Sequence, residues 1–114
     1  MFPVSSFTLF YEQASFNRCP MLDELEHIQH NLKIIREHLL REFTGLNITE
    51  DTSDAPICHR FTLTDPMTYQ QYRLKVGWRR LADKTSTPER TRNSLVHGDV
   101  VYKMRKAKGN YLYW

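Results

Sequence analysis

Within RNSLVHG, Arg92 to Gly98, an Arg-Asn pair stands five and four positions ahead of a lone His. An imidazole gives or takes a proton near neutral pH, and a guanidinium holds a phosphate through charge-assisted hydrogen bonds. These are groups that metal-independent RNA cleavage needs: the 2′-hydroxyl loses a proton, the 5′-oxygen gains one, and charge on the pentacoordinate phosphate is stabilised. On a helix, Asn93 and His97 share a face one turn apart, so the amide can orient the ring. Arg92 falls ~140° from His97 around the same helix. One copy therefore aims the pair poorly, whereas two copies meeting across a dimer axis could pool them in one cleft.

In type and spacing, Arg92, Asn93 and His97 resemble the signature of HEPN domains, in which an Arg, often followed by Asn or another polar residue, precedes a His by a short spacer. The resemblance implies a helical bundle of about this length, with the motif near the start of a late helix, acting as a dimer with a shared site. For many members it implies a metal-independent endoribonuclease, often of toxin–antitoxin or antiphage systems, here yielding a 2′,3′-cyclic phosphate. Other members have lost catalysis and bind nucleic acid or protein partners. By resemblance His97 is the proton-transfer residue, Arg92 the phosphate clamp and Asn93 the polar support. RNA, a homodimer mate and an antitoxin protein are the implied partners, and neither metal nor cofactor is required.

The charge pattern points to the same class of target. Residues 1–57 hold four Lys/Arg against nine Asp/Glu, and residues 58–114 hold twelve against four, so halves of −5 and +8 make up the net charge of +3. The second half is the one a polyanion would choose. Its tail, YKMRKAKGNYLYW, interleaves Lys103, Arg105, Lys106 and Lys108 with Tyr102, Tyr111, Tyr113 and Trp114. Cations for phosphates and rings for bases are the ingredients of a single-strand RNA surface. The same residues also read as an aromatic cluster docked on the core with its lysines in solvent. A non-catalytic nucleic-acid- or partner-binding module is therefore the alternative function.

Other constellations carry less chemistry. His27, His30 and His38 share one helical stretch but lack a third ligand at matching spacing and any HExxH. Cys58 and His59 are adjacent, so their side chains diverge and form no dyad. Ser94, His97 and Asp99 are too crowded on one turn for a triad, and four glycines form no phosphate-binding loop. Cys19 and Cys58 form no CxxC pair, which fits two thiols in a reducing compartment. No stretch approaches the ~18 apolar residues of a membrane span, and the start, MFPVSSFTLFYEQAS, has no basic leader region. The expectation is a cytoplasmic protein in which the NIT sequon at Asn47 stays idle.

The elements that must position these residues are read from periodicity. At 114 residues the chain supports one core, hence a single domain over 1–114. Leu25, Ile28, Leu32, Ile35 and Leu39 recur at alternating steps of three and four, which predicts a first long helix. Pro20, Asp23 and Glu24 suit its start and Gly45 its stop. Residues 46–64 break the period and read as a loop with one short strand, ICHRFTL. Over 65–85, Asp65-Pro66 and the spacing Met67, Gln71, Leu74, Trp78, Leu81 predict a second helix, although Tyr72, Leu74, Val76 and Trp78 also alternate as a strand would. Ser86 with Glu89 has capping-box spacing and Pro88 fits a first turn, predicting a third helix through residue 106. The expected fold is thus mainly α, a HEPN-like bundle with an irregular middle. Its rival is an α+β chain in which DVVYKMRK and YLYW pair as a C-terminal hairpin.

Overall fold

A computed structural model describes residues 22–53 and 58–114. Helix α1 (Leu22–Glu42) leads into strands β1 (Asn47–Ser53), β2 (Cys58–Thr64) and β3 (Gln71–Gly77). A single turn α2 (Trp78–Leu81), helices α3 (Pro88–His97) and α4 (Val100–Lys106), and strand β4 (Tyr111–Tyr113) follow. The sheet order is β1-β2-β3-β4, with the first three strands antiparallel and β4 parallel to β3.

The predicted aliphatic face of α1 is the helical half of the core. Leu25, Ile28, Leu32, Ile35 and Leu39 are buried against Phe61 and Leu63 of β2, Leu74 and Val76 of β3, and Leu95, Val100 and Met104 of the later helices. The stop falls where expected: Thr44 Oγ1 donates to the Arg41 carbonyl, and Gly45 takes φ +86°, a conformation that favours glycine. Pro20 and Cys19 lie outside the described residues.

The mainly-α expectation is overturned, because a four-stranded sheet forms where a bundle was predicted. The middle segment supplies two strands rather than one. β1, NITEDTS, is too polar to announce itself, yet Ile48 and Glu50 face inward opposite Leu63 and Phe61. Over 71–77 the period-2 alternation wins: Tyr72, Leu74 and Val76 point to the core while Gln71, Arg73 and Lys75 point away. Asp65-Pro66 opens a turn instead of a helix, with Asp65 Oδ1 accepting from the Met67 amide at 2.9 Å and the Asp65 carbonyl from the Tyr69 amide at 2.7 Å. Met67, placed on the predicted helical face, is 86% exposed.

The third predicted helix breaks into α3 and α4 at Gly98 and Asp99. Asp99 adopts φ +50°, which reverses the chain, and a Cβ on Gly98 would sit 2.9 Å from the Ser94 carbonyl. The capping residue is Thr87, whose hydroxyl accepts from the Arg90 amide at 3.2 Å, with Pro88 in the first turn. The C-terminal hairpin is also overturned: residues 100–106 stay helical, and β4 pairs in parallel with β3 through Arg73–Tyr111, Leu74–Leu112 and Lys75–Tyr113. The α+β class of the rival reading stands without its hairpin.

Candidate nucleic-acid interface

Strand pairing arranges the outward side chains in rows across the sheet, on the face opposite the helices. One row runs Thr49, Thr62, Arg73, Tyr111, and the next Asp51, Arg60, Lys75, Tyr113. Among the described residues no helix covers these rows, since α1, α3 and α4 send their buried side chains to the Phe61–Leu74 face. The alternation that buries Leu74 and Val76 therefore turns Arg73 and Lys75, both half-buried and with Arg73 Nε covered and unpaired, to this face, and the parallel register of β4 sets a tyrosine beside each.

The contacts are those of a cation-aromatic surface. Lys75 Nζ lies 4.9 Å from the ring centroids of both Tyr111 and Tyr113 and donates to the Tyr113 hydroxyl at 3.4 Å. The Arg73 guanidinium lies 5.5 Å from the Tyr111 centroid and donates to Gln71 Oε1. Arg60 grips Asp51 through Nε and Nη2 at 2.8 and 3.2 Å, leaving Arg73 and Lys75 without a carboxylate partner in these rows. Tyr113 is 72% exposed, so a flat ring stands open to solvent. Between the rows, Thr49, Asp51, Arg60, Thr62 and Tyr111 border a depression of about 150 Å³.

The inner side of the same strands carries an electrostatic lock. Glu50 receives Arg36 of α1 at both oxygens and His59 Nε2 at 2.8 Å, while His59 Nδ1 lies 3.1 Å from Thr52 Oγ1. A carboxylate only accepts, so Nε2 carries the shared proton. Burial pushes the Glu50 pKa up, but the hydrogen bonds from Arg36 and His59 outweigh it and hold the group at about 2. His59 thus faces inward while the buried Cys58 alternates to the other face, and the pair forms no dyad.

The residues read from sequence sit elsewhere. Arg92, Asn93 and His97 are exposed on α3 from its middle to its end, with His97 its last residue rather than near its start. Their side chains make no hydrogen bond or ion pair with other described residues. Gly98 serves the α3–α4 elbow, and Leu95 within the motif is a core residue. Lys103, Lys106 and Lys108 are exposed on α4 and the following turn, whereas Arg105 is engaged by the Glu42 carbonyl at 3.1 Å and the Phe43 ring. Tyr111 and Tyr113 alone join the sheet surface. Arg60, Arg73 and Lys75 were missed, and the outward phase of QYRLKVG was the signal that could have found two of them.

No protein-family model, no curated protein and no solved structure matches the chain. Among the described residues, no helix is long and apolar enough to cross a membrane, and no group of three or more His, Cys, Asp or Glu is arranged to hold a metal ion.

Proposed function

We propose that this chain is a non-catalytic module that binds single-stranded nucleic acid, RNA above all, on the open face of its sheet. The observation that carries the reading is the pairing of Arg73 with Tyr111 and of Lys75 with Tyr113 in adjacent cross-strand rows. Exposed rings on a sheet stack splayed bases, and cations between them hold the phosphates. Tyr111 and Tyr113 stand two residues apart on one strand, about 7 Å, within reach of neighbouring nucleotides in an extended strand. A duplex hides the base faces that such rings need, so discrimination for single strands follows. On this reading the place of action is the cytoplasm.

Fluorescence anisotropy with labelled single-stranded and duplex RNA of equal length tests this. Single strands should bind more tightly and weaken steeply with salt, and the double variant Arg73→Gln, Lys75→Gln should lower the salt slope by about 1.4, or 0.7 per phosphate contact. Equal affinity for duplex, or an unchanged slope, would sink the proposal.

A second reading retains the cleavage chemistry. Asn93 and His97 lie one turn apart on α3, exposed and uncommitted, as a site completed by a second copy would need. Such a homodimer would be an endoribonuclease, with an antitoxin protein as its regulator.

A further inference from the structure

The segment from Trp78 to Thr91 folds around one buried amide. Asn31, 2% exposed on α1, donates through Nδ2 to the Leu81 carbonyl at 2.7 Å. Its Oδ1 accepts from Thr91 Oγ1 at 3.1 Å and Ser86 Oγ at 3.3 Å. Beside this hub lies a recessed pocket of about 80 Å³ whose wall includes Arg80, Arg90, Ser94 and Trp114. A water needs about 10–15 Å³ of such space, so the pocket has room for a small polyatomic anion.

The wall has more donors than acceptors. Asn31 Oδ1 is taken by the Thr91 hydroxyl, with Ser86 Oγ sharing its one proton between it and the Asp83 carbonyl at 2.8 Å, and Asp83, at the exposed rim, is occupied at Oδ1 by the Thr85 amide and hydroxyl at 2.9 and 2.6 Å. Arg90 spends Nη1 on the Thr85 carbonyl at 3.1 Å and keeps its other N–H groups. Arg80 stacks 4.1 Å from the Trp114 ring centroid, in contact with no carboxylate among the described residues. Burial pushes its pKa down, with the Asp83 charge opposing. Two arginines and one carboxylate, Asp83, thus line the pocket together with Ser94 of α3, all four exposed at its mouth. A phosphoryl group offers three terminal oxygens and up to two negative charges, enough to engage both guanidiniums and the hydroxyl.

We infer that this pocket binds a terminal phosphate monoester, gripped by Arg80 and Arg90 with Ser94 as a further donor. A phosphodiester inside a strand would have to bring two riboses into the recess, so a terminal group is the one that fits. Two sources share that chemistry: a free nucleotide, and the phosphorylated end of an oligonucleotide. Trp114 directly follows Tyr113 but packs against the core, so the pocket lies on the helix side of β4, across the sheet from the rows.

Calorimetric titration of the full chain with inorganic phosphate, a nucleoside 5′-monophosphate, and matched oligonucleotides bearing a 5′-phosphate, a 3′-phosphate or no terminal phosphate decides the matter. Saturable binding of the first two assigns the pocket to soluble nucleotides, and a gain confined to a phosphorylated end assigns it to strand termini. In either case Arg80→Gln and Arg90→Gln should each weaken the phosphate-dependent part about tenfold. Ser94→Asp, at an exposed helix position that leaves both arginines in place, should abolish it. Inorganic phosphate and the mononucleotide are too small to span the sheet rows, so their binding tests this pocket independently of the sheet surface. Absence of saturable binding for every phosphate probe, or binding indifferent to all three pocket variants, overturns the inference.

Discussion

Arg36 of α1 and Glu50 of β1 meet across the helix–sheet interface, the guanidinium reaching one carboxylate oxygen through Nη2 at 2.8 Å and the other through Nε. His59 of β2 closes the arrangement on the first of those oxygens. A polar edge strand that buries little apolar surface is thereby tied to the long helix and to its neighbour. The contact also keeps the rows of the outer face in register, since Glu50 lies between Thr49 and Asp51.

Removing this lock should cost stability in a pH-dependent way. The Glu50 carboxyl is held at about 2 in the fold against an ordinary 4.5. A depressed carboxylate stabilises the fold fully above about pH 4.5, and that contribution is lost as pH falls toward 2. Allowing for solvent at the half-buried group, Glu50→Gln should lose roughly 2 kcal/mol at pH 7. Urea melts at pH 7 and pH 3 check this: the gap between wild type and variant should narrow at the lower pH. A gap of constant size would place the loss in packing rather than charge.

The legible parts of this chain were those whose burial repeats in sequence. Five aliphatics at helical spacing marked α1 because each meets the core. β1 was illegible because Glu50 occupies an inward position normally held by an apolar residue, and its partner Arg36 lies on another element. In 71–81 two periods competed, and Met67 tipped the reading toward helix although it touches no core. The α3–α4 break hinges on a close backbone approach at Gly98, which no periodicity reports. The surface was half legible for the same reason: Tyr111 and Tyr113 stood out as rings, whereas Arg73 and Lys75 become their neighbours only through the parallel β3–β4 register.

The ring edge of the sheet should account for affinity that charge does not. Replacing Tyr113, which is 72% exposed, by Ala should weaken single-stranded RNA binding by about 1–3 kcal/mol without lowering the melting temperature appreciably. Tyr113→Phe should retain most of it, because the face of the ring does the stacking. Lys103→Gln and Lys106→Gln, on α4, should change affinity less than Lys75→Gln. A ranking led by the α4 lysines in the same anisotropy titrations would move the interface to the helix.

Asn31 should be the most sensitive polar residue of the core. Its side chain satisfies the Leu81 carbonyl and receives the Thr91 hydroxyl, so Asn31→Leu strands two polar groups at a buried site, while Ser86 keeps the Asp83 carbonyl at 2.8 Å. Each lost partner costs about 1–3 kcal/mol when the remaining group stays dry. Asn31→Asp keeps the acceptor but removes the donor to Leu81, and should fall between the leucine variant and wild type. Denaturant midpoints for the three proteins should follow that order, with an unchanged m-value showing that the fold itself is retained. A leucine variant as stable as wild type would mean that water reaches the hub.

His97 separates the two functional readings. It is exposed at the end of α3 and its side chain makes no hydrogen bond with other described residues, so His97→Ala should leave the fold and the anisotropy titrations unchanged. If the chain is a binding module, incubation with mixed single-stranded RNA in excess EDTA gives intact RNA for wild type and variant alike. Cleavage by the wild type alone, with 2′,3′-cyclic phosphate ends, would require His97 as the proton-transfer group. Arg92 lies ~140° away on the same helix, so this activity would need a second copy to bring a guanidinium to the imidazole. Its rate per chain should then rise with protein concentration until the dimer saturates, whereas a rate per chain independent of concentration would exclude the shared site.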